Sequence, residues 1–326
     1  MRMVDAHIHV DTDDDRVLAL CDELNLKVLN ISVPLNNEGR WRSVRQAAYR
    51  RAASKRPDAS AWVTGFDLPR FGDPKYASSC IEQLEADFSA GAVGCKAWKN
   101  IGMEEKKPDG SFVQIDDAIF TPIFRWLEEH DKTVLLHMAE PLACWRPIRE
   151  GKPHAGYYKA NPQWHMYNKP EYPAHETIIA ARDRLVERHP KLRVVGAHLA
   201  SLEWDVDEMA RRFERYPNFA VDTSARLWDL IEQPTEKVRA FFLKYVDRIL
   251  HGTDVIVRGD FASATPEQQA GRLKNLRDET EVYLRYYSSA EPVTYQTSTA
   301  RGLGLPEKVV EQVTKTNARR WYPELG

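Results

Sequence analysis

Residues 3–10, MVDAHIHV, form an apolar run that carries two histidines one residue apart. Strand side chains alternate faces, so Asp5, His7 and His9 are expected on one face and Val4, Ala6, Ile8 and Val10 on the other. Two imidazoles on one face at the end of a buried strand can grip a single metal ion. The competing reading is an edge strand whose histidines face water, and the rest of the chain must decide.

Outward from that segment, strand-like runs recur at 3–10, 27–33, 61–67, 92–98, 133–139, 193–199, 219–224 and 248–254. Between them lie amphipathic helical patterns at 16–26, 44–55, 79–90, 119–130, 176–189, 206–216 and 236–246, each with one charged and one aliphatic or aromatic face. Strict alternation implies parallel strands covered by helices. Eight such units predict an α/β fold, a (β/α)8 TIM barrel, as a single domain over 1–326. An open doubly wound sheet competes, but the first strand ends in HxH and not in a glycine-rich phosphate turn. Residues 265–326 are expected to form a C-terminal helical extension on the outside of the barrel. Long loops follow strands 4 and 5, at 99–117 and 141–174. The second holds Trp145, Tyr157, Tyr158, Trp164, His165, Tyr167 and Tyr172. Both leave the C-terminal ends of strands, where barrel enzymes build their sites, and are expected to cover a substrate.

Lys plus Arg (46) nearly balances Asp plus Glu (48), so no global field draws nucleic acid or an anionic membrane. Cys21, Cys80, Cys95 and Cys144 are scattered without CxxC pairing, which argues against a zinc knuckle or a disulfide framework and for a reducing, cytoplasmic home. No run of about 18 apolar residues exists, and no charged segment with an apolar run precedes the first strand. The expected partner is a small-molecule substrate, with homo-oligomerisation open.

The candidate chemistry falls on the predicted strand ends: His7 and His9 on the first, Lys96 on the fourth, His137 on the fifth, His198 on the sixth and Asp254 on the eighth. Random scattering would not place all of them on the catalytic face. Arg226, after the seventh strand, has the geometry to clamp a carboxylate, or it starts a surface helix. Lys99, Trp145 and Trp164 are further substrate-binding candidates, and Arg146 is another cation in reach. Glu140 is read as a neighbour of the metal site or part of a turn, and Asp5 as a hydrogen-bonding group one layer beneath His7. His130 and His189 are read as helix-end residues and His251 as facing the outer helices. His154, His165 and His175 have no ligand-like spacing.

These motifs resemble the amidohydrolase superfamily, in particular its amidohydrolase-related branch, which includes the aminocarboxymuconate semialdehyde decarboxylases. The resemblance rests on DAHIH at 5–9, VLLHMAEP at 134–141, VVGAHLAS at 194–201, ILHGTD at 249–254 and TNARRWYP at 316–323, and spans nearly the whole chain. Residues 91–103, GAVGCKAWKNIGM, are similar to an uncharacterised subgroup. The resemblance implies that His7, His9, His137 and Asp254 bind a divalent metal, with Zn²⁺ the expected ion, and that His198 is a further ligand or an acid/base. Asp254 would take a proton from metal-bound water and pass it to the leaving group. It also opens two fates for Lys96: a carboxylated bridge between two metals, or an ordinary ammonium beside one. The expected activity is a metal-dependent hydrolase of an ester, lactone or amide. The alternatives are a non-oxidative decarboxylase and a non-enzymatic ligand-binding barrel.

Overall fold

The computed structural model describes residues 1–32 and 44–326. Parallel strands β1 (Met3–Val10), β2 (Leu26–Ile31), β3 (Ser60–Gly65), β4 (Ala92–Ala97), β5 (Thr133–Leu136), β6 (Arg193–Gly196), β7 (Phe219–Asp222), β8 (Ile249–Leu250) and β9 (Ile256–Val257) form one sheet in the order β8-β7-β6-β5-β4-β3-β2-β1-β9. The sheet closes on itself because the eighth strand is split. Its first half, β8, pairs with β7, and its continuation pairs with β1 through β9. Bonds from the Ala6 N–H to the His251 carbonyl (2.8 Å) and from the His9 N–H to the Val255 carbonyl (2.9 Å) stitch the seam. The fold is therefore the expected TIM barrel. The 27–33 strand is present as β2, with Val33 outside the described residues.

Helices follow the strands within a few residues of the expected positions: Asp15–Glu23, Val44–Lys55, Tyr76–Ser89, Thr121–Glu129, His175–Arg188, Val206–Arg215 and Thr235–Lys244. At two of their starts, Asp14 and Asp205 cap the helix by accepting backbone N–H groups. Pro266–Ser288 opens with a full capping box between Thr265 and Gln268.

The strict alternation expected over 3–10 does not hold. Val4 and Ala6 both lie in the inner cluster, with Leu29, Val63, Leu135 and Val195, whereas Ile8 and Val10 pack outward with Val17, Cys21 and Leu276. The register with β2 slips between Asp5 and Ile8, and such an irregularity re-aims side chains. As a result Asp5 is not a layer beneath His7. Its carboxylate accepts the His7 N–H (3.1 Å), the Thr253 N–H (3.1 Å) and the Thr253 hydroxyl (2.6 Å), tying β1 to the turn before Asp254.

The C-terminal extension also differs from expectation. Pro266–Ser288 packs outside, but the residues after it form a hairpin, β10 (Pro292–Tyr295) with β11 (Ser298–Arg301), and then plug the barrel. Ala318, Trp321, Tyr322 and Leu325 join the inner cluster at the N-terminal end of the strands, where the Thr133 hydroxyl donates to the Trp321 carbonyl and the Lys27 ammonium to the Leu325 carbonyl (2.7 Å). Gly94 makes room for the plug: a Cβ there would stand 2.8 Å from Tyr322 Cε1. Tyr322 is fully buried, and its hydroxyl has no partner among the described residues. Tyr322→Ala is expected to cost about 3–5 kcal/mol by urea unfolding, as large-to-small core changes do. Tyr322→Phe should cost nothing or stabilise, because it removes an unsatisfied polar group.

All four cysteines are buried free thiols, and no described helix is long and apolar enough to cross a membrane.

Candidate metal centre

Strand ends bring the polar cluster together at the C-terminal rim. His7 and His9 come from β1, Lys96 from β4, and His137, His198 and Asp254 from just beyond β5, β6 and β8. The His7 and His198 rings lie 4.6 Å apart and those of His137 and His198 4.3 Å. Asp254 Oδ1 stands 3.2 Å from His9 Nε2 and 3.7 Å from His7 Nε2. Lys96 Nζ, fully buried, approaches His7 Nε2 at 3.4 Å. Donor atoms of His7, His198 and Asp254 all fall within 4.8 Å of one another. The trio that comes mutually close thus includes His198, and differs from the His7, His9, His137 and Asp254 set that the resemblance implies.

The backbone bends sharply to present them. Ala139, Ala225 and Asp254 have positive φ, and His198, Leu199, Ala200 and Ser201 form a run of left-handed residues. That conformation costs an L-residue about 1–2 kcal/mol each. The turn needs Gly196, because a Cβ there would meet the Ala200 Cβ at 2.5 Å. Strain of this kind collects where a site over-determines its geometry.

Asp222, the last residue of β7, organises the centre and was not singled out from sequence. Its Oδ2 pairs with His7 Nδ1 at 2.8 Å, and its Oδ1 accepts the His198 N–H (2.8 Å), the Ser224 N–H (3.1 Å) and the Ser224 hydroxyl (2.5 Å). The Ser224 hydroxyl and carbonyl both reach His198 Nδ1 at 2.9 Å. With their Nδ1 atoms so engaged, His7 and His198 turn Nε2 toward the cluster, the arrangement by which a carboxylate orients a ligating imidazole. The available signal was a carboxylate ending a buried strand on the same rim as the histidines.

Burial pushes His9, His137 and His198 below the ordinary imidazole range, the latter two well below, so these rings carry free lone pairs at neutral pH. Burial also opposes charge on Asp254, but His198, the hydrogen bond with His9, and His7 outweigh it and hold the carboxyl well below its usual range. The same contest ends with Asp222 at about 2, where His7 and His198 prevail over burial. Burial lowers Lys96 to about 8 although Asp254 and Asp222 pull the other way. Nδ1 of His9 and of His137 is buried with no partner among the described residues. Imidazole nitrogens beside an anionic carboxylate are the donor set that a first-row divalent ion takes, so these residues fit a metal.

The outlying candidates are placed as follows. Arg226 is buried, with its Nε unpartnered and no carboxylate paired to it among the described residues, and its charge is felt at His198 and Lys99. Lys99 sits over Trp164 (4.3 Å to the ring centre) and forms a buried ion pair with Glu140, which also accepts from the Tyr158 hydroxyl (3.1 Å). Trp145 belongs to a different group: its N–H donates to the Pro173 carbonyl (3.0 Å), and its ring meets His175, which in turn meets Trp204. It builds the loop wall and not the histidine cluster. His251 lies against Tyr283 and Tyr287 of the outer helix, as expected. Above Asp254 a cavity of about 620 Å³ is walled by Tyr157, Trp228 and Tyr295. Neither Trp228, on the short helix Leu227–Ile231 after β7, nor Tyr295, on a hairpin that was not foreseen, was singled out from sequence.

A family model described as amidohydrolase matches residues 4–323. The chain belongs to the amidohydrolase family. Its fold is similar to that of an uncharacterised TIM-barrel protein of Bordetella bronchiseptica (16% identity, 100% of both chains covered, TM-score 0.56). It is also similar to 4-oxalomesaconate hydratase of Rhodopseudomonas palustris (16% identity, 99% of this chain and 96% of that one, TM-score 0.55). A third likeness is to 2,6-dihydroxybenzoate decarboxylase from Rhizobium (17% identity, 100% of both chains, TM-score 0.53). No curated protein matches this amidohydrolase. At such identities the likeness is one of fold, and the chemistry must be argued from the site.

Proposed function

We propose that this amidohydrolase is a metal-dependent hydrolase that uses water to cleave an ester, lactone or amide of a small organic substrate. The observation that carries the reading is Asp254, an anionic carboxylate whose side chain keeps 27% of its exposure while the imidazoles around it are buried. It faces the open cavity and is held far from protonation, which suits a group that accepts a proton from water and later passes it to the leaving group. His7, His9, His137 and Asp254 would hold the ion, with His198 adjacent; a bound Zn²⁺ or similar ion supplies a Lewis acid and lowers the pKa of water to about 7. Asp222 holds His7 and His198 in orientation, and Tyr157, Trp228 and Tyr295 hold the body of the substrate away from bulk water. The test is turnover of a panel of lactones, esters and amides in ¹⁸O-labelled water. A single ¹⁸O in the acid product supports hydrolysis, whereas release of CO2 without label uptake would overturn it.

One observation favours decarboxylation as a second reading. Arg226 is a buried guanidinium without a carboxylate partner among the described residues, and a substrate carboxylate would satisfy it. On either reading Arg226→Ala is expected to raise KM about 10–100-fold for carboxylated substrates and to leave their methyl esters nearly unaffected, since a lost charge-assisted pair costs about 1.5–3 kcal/mol. Equal KM changes for acid and ester would remove the clamp from the account.

A further inference from the structure

Beside the cavity over Asp254 lies a second one, of about 410 Å³, and His154 and Asp229 line both. The second cavity opens between the loop after β5 and the segments that follow β6 and β7. Glu203, only 2% exposed, lines it. One carboxylate oxygen of Glu203 accepts the Leu142 N–H at 2.8 Å, and the other, Oε2, has no hydrogen-bond partner among the described residues. Asp229, itself buried, is held by His154 Nε2 at 2.9 Å. Among the described residues, no ammonium or guanidinium stands in hydrogen-bonding contact with either of these two buried carboxylates, one of which has an unused oxygen. Apolar surface from Ile148 and Trp204 completes the wall, and the exposed Arg146 and Arg149 stand at the mouth.

We propose that this cavity is a second ligand site, built for a small organic zwitterion with an apolar body, whose ammonium donates to Glu203 Oε2 and Asp229 and whose carboxylate meets Arg146 and Arg149. A buried carboxylate oxygen without a donor is costly, and an entering ammonium removes that cost, while a few polar groups in an apolar cleft give the ligand its orientation. The arginines reject a simple amine in favour of one that carries its own anion. Because Asp229 holds His154 in the wall shared with the other cavity, occupancy draws on the same carboxylate that fixes that wall. The site thereby links a second ligand to the substrate entrance.

The experiment is calorimetric titration of 4-(aminomethyl)benzoate into the full chain, with benzylammonium and 4-methylbenzoate as one-ended controls. The zwitterion should bind saturably and about tenfold or more tightly than either control, and Glu203→Gln should weaken it at least about tenfold, as loss of a charge-assisted bond does. Ile148→Trp, which fills the cavity from an outer loop, should abolish binding, and Asp254→Asn should leave it unchanged. Circular dichroism confirms that each variant is folded. Equal binding of the controls, insensitivity to Glu203→Gln or to Ile148→Trp, loss in Asp254→Asn, or no saturable binding would each overturn the proposal. The readout is binding, so the result is independent of whether the enzyme proves to be a hydrolase.

Discussion

Asp254→Asn is expected to lower kcat by about 10²–10⁴-fold, the range for loss of a positioned acid/base group, while the variant stays folded. The amide keeps the shape of the carboxylate and the backbone bond from the Asp254 N–H to the His7 carbonyl (2.8 Å), so the left-handed turn survives. What it loses is the negative charge that stands beside His9 and His7. An amide neither accepts a proton from water nor hands one on. KM should change little if substrate is held by the aromatic walls and Arg226. A variant that retains more than about a tenth of wild-type kcat would remove Asp254 from the proton path.

Asp222→Asn is the second large effect and separates orientation from folding. The amide oxygen still accepts the His198 and Ser224 N–H groups, so the β7 end and the turn at His198 are preserved. Its NH2, however, faces His7 Nδ1 where a carboxylate oxygen stood. His7 must then present a lone pair at Nδ1 and carry its proton at Nε2, which takes that nitrogen away from the cluster. Metal affinity and activity should fall about 10–100-fold, as they do when a ligand's orienting partner is lost. The unfolding midpoint should move little by comparison. Asp222→Ala instead leaves several buried donors unpaired and should lose stability as well. If Asp222→Asn kept full metal and full activity, the orienting role would be refuted.

The barrel was legible because eight short apolar runs alternate with amphipathic helical patterns, and because the chemistry lies where such runs end. His7, His9, His137, His198 and Asp254 could be placed at one rim before any coordinate was known. Alternation alone misplaced Asp5, since a slip in pairing with β2 is a property of two strands together and leaves no trace in one of them. The end of the 265–326 extension was misplaced for a similar reason: a helical pattern shows which face is apolar, not whether that face covers the outside of a barrel or enters its end. Trp145 shared a loop with Trp164, yet His175 and Trp204, distant in sequence, draw it elsewhere. Asp222 escaped notice because a lone aspartate after an apolar run is common, and only its partners on β1 and β6 show what it does.

Elemental analysis decides whether these strand ends form one metal-binding centre. Protein purified without chelator, together with His7→Ala and His137→Ala, would be assayed for bound ions per chain after confirming the fold. About one ion per wild-type chain is expected, or about two if Lys96 is carboxylated, with loss of most of it in both variants. A folded wild-type protein that takes up no divalent metal even when supplied with it, or variants that keep the wild-type amount, would contradict the account.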